Sequence, residues 1–358
     1  MKRAPATPAA GGYRMPAEWE PHAATWLAWP HNETDWPGKG SMVEWVFVEM
    51  ARLIARGERV RIVVADRAER ARAKKALGRS GVEMSRVDFF VAPSDRAWTR
   101  DFLPTFVRAR RSAPLGAVKW QFDGWARYPD FRRDDATGDA IAERHAELVW
   151  KPRYERAGRA ARVVLEGGAI DVDGQGTLLA TEQCLISGPR ARNRALGRDG
   201  TEAVLSEMLG ADKVLWLPDG IEGDDTGGHV DDFARFVAPG RIVLCQERNR
   251  RDANHRILRR ARERLAGARD ARGRKLELVP LPMPEPVVFN RQRLPASYAN
   301  FYVANAAVLV PTFNDPHDAE VLGLFAELFP KRDVIGVYCR DLVLGLGTLH
   351  CSTQQEPG

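Results

Sequence analysis

The chain of 358 residues has few cysteines, few lysines and no long hydrophobic run. Its four cysteines show neither a CxxC pair nor a regular spacing, which argues against a disulfide framework and against a structural zinc site. No run of 18 apolar residues occurs, so no membrane-spanning helix is predicted. Met1 is followed mainly by Pro, Ala and Gly rather than by a continuous apolar stretch, so no signal peptide is predicted either. We therefore expect a cytoplasmic protein without a membrane partner.

The formal charge is +6, with 54 basic and 48 acidic residues, and only nine of the basic residues are lysines. The densest basic runs are Arg108, Arg110, Arg111 and Arg248, Arg250, Arg251. Acidic residues are interspersed almost everywhere, and no nucleic-acid-binding motif accompanies the charge. We therefore expect a solvated, arginine-rich surface and no nucleic-acid partner.

A recurring order of elements runs along the chain. Two short apolar runs joined by a turn are followed by a helical stretch and another apolar run, and each unit spans about sixty residues. For example, ARVVLEGGAIDV and GTLLATEQCLI flank a hairpin turn at 173–176. Helices are predicted at 42–56, 139–149, 200–209, 254–266 and 318–328.

No linker or shift in composition divides these repeats. The sequence therefore predicts one α/β domain of about five repeats over residues 15–358, preceded by a disordered lead over residues 1–14. The first repeat is incomplete, because only two apolar runs, ATWLAWP and VRIVVA, flank its helix.

The spacing of four reactive residues follows the repeat. Asp101, Glu166 and His229 succeed one another at about 60 to 65 residues, and Cys351 follows His229 at about twice that interval. Residues in equivalent places of successive pseudo-symmetric units lie near the symmetry axis. We therefore expect all four side chains to share one pocket.

Cys351 is the strongest candidate for a nucleophile. It lies in the polar, glycine-containing segment GLGTLHCSTQQ, where a purely structural cysteine is not expected. A thiolate is a better nucleophile at neutral pH than any hydroxyl, provided that a cation or a base favours it. Cys184, Cys245 and Cys339 lie in apolar runs that resemble strands, where cysteine is usually a small buried hydrophobe. His350 is adjacent to Cys351 and is predicted to pack in the loop rather than to act as the base.

Residues 222–232 combine five carboxylates and one histidine in a glycine-rich loop. If this loop leads into a strand with Val230 buried, His229 and Asp231 share the opposite face. His229 could then carry protons near neutral pH. Two alternatives stay open for these residues: a solvated acidic turn, and a metal site that uses His229 and Asp231 with neighbouring carboxylates.

Two further loops carry candidate site residues. Trp98 places an aromatic ring near the carboxylate of Asp101, just before a predicted strand. Glu166 is followed by two glycines, which permit close approach of the backbone. Alone, each acidic residue would more often be a helix cap or part of a hairpin.

Five ordered motifs carry a wider resemblance. They are MPAEWEPHAATWLAWP at 15–30, WTRDFLPTF at 98–106, EGGAIDVDGQGTLLATEQCLI at 166–186, GDDTGGHVDDFARF at 223–236 and HCSTQQEP at 350–357. Together they resemble the agmatine deiminase group of the bacterial-type (Porphyromonas-type) peptidyl-arginine deiminase family. The resemblance implies an α/β fold, a five-bladed pseudo-symmetric ββαβ propeller (pentein fold), with the active site on its axis.

The resemblance also implies a role for each candidate. They are the nucleophile Cys351, the general acid and base His229, its acidic partner Glu166, the guanidinium-binding Asp101 and Asp231, the channel-lining Trp98 and, near a distal amine, Asp225. The implied reaction converts agmatine to N-carbamoylputrescine and ammonia through a covalent amidino-thioether on Cys351. It needs no cofactor and no metal. The implied partner is a small guanidinium compound, and a homo-oligomer is compatible with the family.

The sequence departs from the family pattern at Leu103, Gly227, Leu346 and Thr348. None of these positions carries a chemical group that the mechanism uses, but they surround the expected pocket and leave the substrate open. The alternatives are a deiminase that acts on free or peptidyl arginine and a metal-dependent amidohydrolase that uses His229 and Asp231.

Overall fold

Strands and helices alternate along residues 5–109 and 113–358, the part of the chain that the computed structural model describes. Arg110 and Arg111, from one of the basic runs in the sequence, lie outside these residues. The fold is mixed α/β, as predicted. None of the helices in the described part combines the length and the apolar composition that crossing a bilayer requires.

Seven helices lie in the described part, of which five overlap their predicted positions and two were not predicted. They are α1 Gly40–Ile54, α2 Arg67–Arg79, α3 Thr99–Phe102, α4 Arg132–His145, α5 Gly197–Leu209, α6 Ala253–Leu265 and α7 Asp318–Leu328. Helix α2 was not predicted, because its sequence RAERARAKKALGR is almost entirely polar and has a narrow buried stripe. Its start has a clear signal, since the side chain of Asp66 accepts a hydrogen bond from the backbone N–H of Glu69.

The strands are short and largely buried. In chain order they are β1 His22–Ala28, β2 Arg59–Val64, β3 Val87–Val91, β4 Thr105–Val107, β5 Gly116–Val118, β6 Leu148–Trp150, β7 Arg153–Arg156, β8 Arg159–Arg162, β9 Ile170–Val172, β10 Thr177–Thr181, β11 Lys213–Leu217, β12 Ala234–Ala238, β13 Arg241–Gln246, β14 Glu277–Pro282, β15 Val288–Phe289, β16 Gln292–Arg293, β17 Tyr302–Val303, β18 Ala307–Thr312, β19 Asp333–Tyr338 and β20 Gln354–Pro357.

Five sheets of the described chain share one plan, in which an antiparallel pair is joined to a third, parallel strand. Their orders are β4-β5-β6, β9-β10-β11, β12-β13-β14, β17-β18-β19 and β20-β1-β2-β3. In each sheet a helix connects the two parallel strands, as a parallel connection requires. The predicted order of two runs, a helix and a third run therefore corresponds to these sheets.

The last strand completes the first sheet. β20 pairs antiparallel with β1, with His22 opposite Pro357 and Trp26 opposite Gln354. The first repeat looked incomplete in the sequence because its antiparallel partner lies at the other end of the chain. Pairing of the two ends also holds the segment just before β20, which contains Cys351.

Residues 5–14, which the sequence placed in a disordered lead, contact the rest of the protein. The hydroxyl of Tyr13 donates to the carbonyl of Pro114 at 3.0 Å, and only 6% of Tyr13 is exposed. The backbones of Arg14 and Arg108 pair as an isolated antiparallel β-bridge. The packed chain therefore begins before Met15. Residues 1–4 lie outside the described part.

We predict that Glu356→Ala lowers the free energy of unfolding by about 1–3 kcal/mol, because it removes the acceptor of a buried indole N–H. In the native protein Glu356 accepts from Trp26 Nε1 and from Arg61, each at 3.0 Å, and so joins β20 to β1 and β2. Urea denaturation followed by circular dichroism measures the change. Glu277→Ala, which removes an exposed pair with Arg241 between two other strands, is the matched control and should cost less than Glu356→Ala. Equal losses in the free energy of unfolding for the two variants would contradict the idea that the contacts of β20 with β1 and β2 stabilise the fold.

Candidate active site

A cavity of about 180 Å³ opens among the loops that precede the first strands of several sheets. Trp98, Asp101, Trp125, Asp225 and Cys351 line it, together with the segment 344–347. His229, Glu166 and Asp231 are fully buried and do not line it. The cavity therefore has an aromatic and acidic wall, with one thiol on its surface.

The thiol of Cys351 lies between an amide and a carboxylate. Asn300 Nδ2 donates to Sγ at 3.1 Å, and Asp231 Oδ2 lies 3.7 Å from Sγ. A side chain at Gly347 would collide with this arrangement, because its Cβ would lie 2.9 Å from the Trp98 ring and 3.2 Å from Sγ. Glycine at this position therefore allows Trp98 and the thiol to approach one another.

Burial raises the pKa of the Cys351 thiol well above its ordinary value. The carboxylates of Asp231, Asp232 and Asp101 raise it further, whereas the hydrogen bond from Asn300 lowers it. A thiolate here would be a buried anion beside other anions. Without a bound cation, the thiol is protonated at neutral pH.

Asp231 is held by two donors. Its Oδ2 lies 2.6 Å from His350 Nδ1 and accepts from Asn300 Nδ2 at 3.3 Å, while Oδ1 has no hydrogen-bond partner. His350 Nε2 lies 2.9 Å from Glu18 Oε2. The sequence did not predict the contacts of His350 beyond its loop, where its imidazole connects Asp231 to a second buried carboxylate. Burial opposes ionisation of Asp231, but the hydrogen bond with His350 and the charges of nearby groups, among them His229 and Arg235, together outweigh it, and the pKa of Asp231 is lowered.

Asp101 lies in the short helix α3, not in an irregular loop as predicted. Its Oδ1 accepts from the backbone N–H of Gly168 at 3.0 Å, and its Oδ2 accepts from Trp125 Nε1 at 2.8 Å. Burial raises the pKa of Asp101 to about 6, against the lowering effect of His229. The carboxylate is therefore oriented by two neutral donors and is ionised above about pH 6.

The imidazole of His229 is completely buried and lies between carboxylates. Nδ1 is 3.9 Å from Asp101 Oδ2 and 4.0 Å from Asp231 Oδ1, and Nε2 is 3.8 Å from Glu166 Oε2. Burial disfavours the charged ring, but the charge of Asp101 and the contacts with Cys184 and Glu166 outweigh it and raise the pKa of His229 well above its ordinary value. The ring is therefore an imidazolium at neutral pH.

Gly168 leaves the space in which these groups meet. A Cβ at this position would lie 2.5 Å from His229 Nδ1, 3.0 Å from Asp101 Oδ1 and 3.1 Å from Asp231 Oδ1. Any side chain would therefore displace the imidazole. The glycine pair after Glu166 was predicted to permit a close approach, and Gly168 does so.

The backbone after His229 differs from the prediction. Val230–Asp232 forms a single 3₁₀ turn and all three residues are buried, so the alternation of a strand does not place His229 and Asp231 on one side. Asp224 fixes the preceding loop, because its carboxylate accepts from the backbone N–H groups of Gly228 at 2.7 Å and His229 at 2.9 Å. Asp224 therefore positions His229 instead of lying free at the cavity.

Glu166 is held by Arg192. The guanidinium donates from Nε to Glu166 Oε1 at 3.0 Å and from a terminal nitrogen to the carbonyl of Thr226 at 2.7 Å. Burial opposes the charge of Glu166, but Arg192 and His229 lower its pKa to about 2. Glu166 is therefore an ion, with Oε2 directed at His229 and without a hydrogen bond.

Asp225 lies farther out, at the cavity wall. It is 8% exposed, its carboxylate accepts from the hydroxyl of Tyr128, and Arg127 Nε lies 3.9 Å away. Trp98 packs against Trp36 with ring centroids 5.4 Å apart. These two predicted residues therefore both line the cavity.

Sequence reasoning missed Asn300, Trp125, Arg192 and the placement of Cys184. Cys184 was predicted in a strand, but it lies in the helical turn Gln183–Ser187, next to Glu166 and His229. The doubled interval between His229 and Cys351 was a signal for Asn300, because one repeat lacked a candidate. Asn300 occupies that repeat, shortly before β17.

Two buried groups of side chains in the described chain could hold a metal ion. Glu166, Cys184 and His229 form one, and Asp231, Asp232 and Cys351 form the other. In each group the potential ligand atoms lie within 4.8 Å of one another. Both contain a thiol, which favours a soft or borderline ion over magnesium or calcium.

The chain is similar to known proteins both in sequence and in structure. Residues 14–357 match the model of the Porphyromonas-type peptidyl-arginine deiminase family. The chain is 37% identical over 375 residues to an agmatine deiminase of Stutzerimonas stutzeri, covering 98% of this chain and 97% of that protein. Its structure is similar to an agmatine deiminase of Enterococcus faecalis, with a TM-score of 0.87, 31% identity and 99% and 98% of the two chains covered. A substrate-bound cysteine-to-serine variant of C. jejuni agmatine deiminase gives a TM-score of 0.83 at 26% identity, covering 97% and 96% of the two chains.

We predict that Asp231→Asn speeds alkylation of Cys351 by iodoacetamide near pH 7.5. Removing a negative charge 3.7 Å from Sγ lowers the pKa of the Cys351 thiol. Each pKa unit of lowering gives roughly tenfold more thiolate, as long as the pH is below the thiol pKa of both the variant and the unmodified chain. Mass spectrometry of the peptide that contains Cys351 follows the rate. Asp88→Asn, which changes an exposed carboxylate paired with Arg59, is the control and should leave the rate unchanged. A rate in Asp231→Asn at or below that of the unmodified chain would refute this account of the thiol.

Proposed function

The chain belongs to the Porphyromonas-type peptidyl-arginine deiminase family, and on this premise we propose that it hydrolyses agmatine to N-carbamoylputrescine and ammonia. It is an enzyme that breaks a C–N bond of a guanidinium group. The observation that carries the proposal is a cavity lined by the Cys351 thiol and Asp101, with the imidazolium of His229 and the carboxylates of Asp231 and Glu166 buried next to them. The residue roles below belong to the same proposal.

Asp101 and Asp231 hold the guanidinium. A guanidinium is planar and presents pairs of N–H donors, which match the two oxygens of a carboxylate. Asp231 Oδ1 has no partner, although Oδ2 contacts the imidazole of His350, and both oxygens of Asp101 are oriented by neutral donors. The substrate supplies the missing positive charge.

Binding of the cation also prepares the nucleophile. In the free enzyme the neighbouring carboxylates keep the Cys351 thiol protonated by raising its pKa. A guanidinium between Asp101 and Asp231 offsets those charges and favours the thiolate. The thiol therefore becomes reactive mainly when substrate is present.

Cys351 Sγ then attacks the central carbon of the guanidinium and forms a tetrahedral adduct. His229 donates the proton on Nδ1, the nitrogen that faces Asp101 and Asp231, to the departing nitrogen. Glu166 holds the ring through Nε2. Ammonia leaves, and a covalent amidino-thioether remains on Cys351.

The same imidazole serves the second step. Having lost its proton, His229 accepts one from a water molecule, and the resulting hydroxide attacks the amidino carbon. Collapse of the adduct breaks the C–S bond, releases the ureido product and returns the thiol. No electron transfer is required.

The distal ammonium of agmatine is received by Asp225, and Trp98 lines the path to it. Free arginine would instead need a cation for its carboxylate. Arg96, which lines the cavity, is already paired with Asp35 and Asp130, so it offers no clamp. This favours agmatine over arginine as the substrate.

We also propose that residues 15–358 form one catalytic domain whose five sheets are the blades of a pseudo-symmetric ββαβ propeller, the pentein arrangement. Asp101, Glu166, His229, Asn300 and Cys351 support this, because each precedes the first strand of its sheet, β4, β9, β12, β17 and β20. Equivalent positions in five units would meet at an axis.

The remaining proposals concern the setting of the enzyme. We propose a cytoplasmic location, because the four cysteines are all free, which is usual in reducing compartments. The substrate is a free small molecule, and we propose neither a nucleic-acid nor a membrane partner. We also propose that the chain forms a homo-oligomer, and membership of the family is the one ground for this proposal.

We predict that Cys351→Ser abolishes ammonia release and leaves the fold intact, because the reaction needs a thiolate. His229→Ala should lower the rate by about 10²- to 10⁴-fold, the usual effect of losing a general acid and base. Steady-state ammonia assays on agmatine, with circular dichroism of each variant, provide the measurement. Cys339→Ser, which changes a buried thiol outside the cavity, is the control. Normal turnover by Cys351→Ser would refute the covalent mechanism.

We predict that agmatine is turned over with a higher kcat/KM than arginine or an arginine peptide. Asp225→Asn should lower kcat/KM for agmatine by about tenfold or more, the worth of one charge-assisted hydrogen bond, because it removes the partner of the ammonium. Butylguanidine, which lacks the ammonium, is the matched control substrate and should be affected much less. A preference for arginine would replace the agmatine assignment by the arginine alternative.

A further inference from the structure

A second thiol, that of Cys184, lies beside the proton-carrying pair, and the proposed reaction does not use it. Its sulfur, a nitrogen of His229 and an oxygen of Glu166 all lie within 4.8 Å of one another. Cys184 is fully buried, and its backbone N–H donates to Thr181 Oγ1 at 3.1 Å. The position of the thiol is therefore fixed by the turn that contains it.

Two atoms of this group lack hydrogen bonds. Neither His229 Nε2 nor Glu166 Oε2 has a partner, although both are buried and they lie only 3.8 Å apart. Arg192 holds the other oxygen of Glu166, and Nδ1 of His229 faces Asp101 and Asp231. Carboxylates near the second nitrogen are the usual surroundings of a metal-binding histidine, because they favour the tautomer that leaves the first nitrogen free.

The separation of His229 Nε2 and Glu166 Oε2 suits zinc. Zinc binds imidazole nitrogen at about 2.0–2.1 Å, carboxylate oxygen at about 2.0–2.2 Å and thiolate sulfur at about 2.3 Å. At a tetrahedral angle, nitrogen and oxygen ligands are then separated by roughly 3.4 Å. The observed distance of 3.8 Å between His229 Nε2 and Glu166 Oε2 needs to shorten by only a few tenths of an ångström. One nitrogen, one oxygen and one sulfur select zinc over magnesium or calcium.

We propose that Glu166, Cys184 and His229 form an inhibitory zinc site, in addition to the proposed deiminase function. On binding, the Cys184 thiol and the imidazolium of His229 each release a proton to solvent, and zinc occupies the lone pair that the lost proton leaves on Nε2. The ring can then no longer cycle between imidazolium and imidazole, and Glu166 no longer orients it. Zinc therefore stops the reaction without contacting Cys351 or the guanidinium site.

Binding is tested separately from turnover, with zinc chloride and Cys351→Ala. This variant lacks the thiol of the second candidate group, formed by Asp231, Asp232 and Cys351, so any thiolate–metal bond that remains comes from another cysteine. Isothermal titration should give one zinc per chain for Cys351→Ala and a loss of that binding when Cys184→Ser is added. Loss of binding in Cys351→Ala alone, or its retention in the double variant, would overturn the proposal.

Inhibition gives a second, independent measurement. Zinc should inhibit the unmodified enzyme and EDTA should restore activity, whereas a metal-dependent amidohydrolase would lose activity with EDTA. Cys184→Ser, which keeps a hydroxyl beside His229 but removes the soft ligand, should raise the zinc concentration for half-inhibition by about tenfold or more. Cys245→Ser, which changes a buried thiol near Ser297, is the matched control. Zinc should inhibit this variant at the same concentration as the unmodified enzyme. Equal sensitivity of Cys184→Ser and Cys245→Ser would refute the site.

Cobalt provides a readout that does not depend on the serine variant. Cobalt(II) bound to Cys351→Ala should show the near-ultraviolet absorption of a thiolate-to-metal charge transfer, because Cys184 supplies the thiolate. Binding without this band, or no binding of cobalt and zinc, would overturn the proposal even if Cys184→Ser failed to fold.

Discussion

The structure depends on keeping several buried carboxylates ionised around one neutral thiol. Each carboxylate costs free energy when it leaves water, and each is retained by a specific partner. Trp125 and Gly168 hold Asp101, His350 holds Asp231, and Arg192 holds Glu166. Two of these three carboxylates receive no fixed cation other than an imidazole. The site is therefore short of positive charge, which is the property that a cationic substrate can satisfy.

A second buried ionic network, formed around Glu18, holds in place the segments that carry the active groups. Glu18 contacts Arg100, Arg235 and His350, and so joins segments from the beginning, the middle and the end of the chain. Arg100 precedes Asp101 in helix α3, and His350 precedes Cys351. Because these contacts are buried and hydrogen-bonded, movement of one loop would leave a charge without a partner. The active groups are thereby held at fixed distances although they lie on separate loops.

The same arrangement explains why His229 has no hydrogen bond to either ring nitrogen. Its surrounding oxygens lie just beyond hydrogen-bond distance, so the ring is stabilised by charge but is not locked to one acceptor. A proton donor held too tightly would give up its proton less readily. The stability lost by leaving these atoms unpaired is consistent with a site built for proton transfer and for binding an external group.

The sequence by itself determined the α/β class, the repeated order of two apolar runs, a helix and a third run, and the segments that hold Asp101, Glu166, His229 and Cys351. It could do so because hydrophobic periodicity reports which residues are buried, and because the repeat places equivalent residues together. Only the tertiary structure decided which buried groups meet. Asn300 and Arg192 come from distant loops, and β20 completes a sheet that begins at β1. Periodicity specifies the face of an element but not the residue that packs against it, so these partners are set by the folded chain.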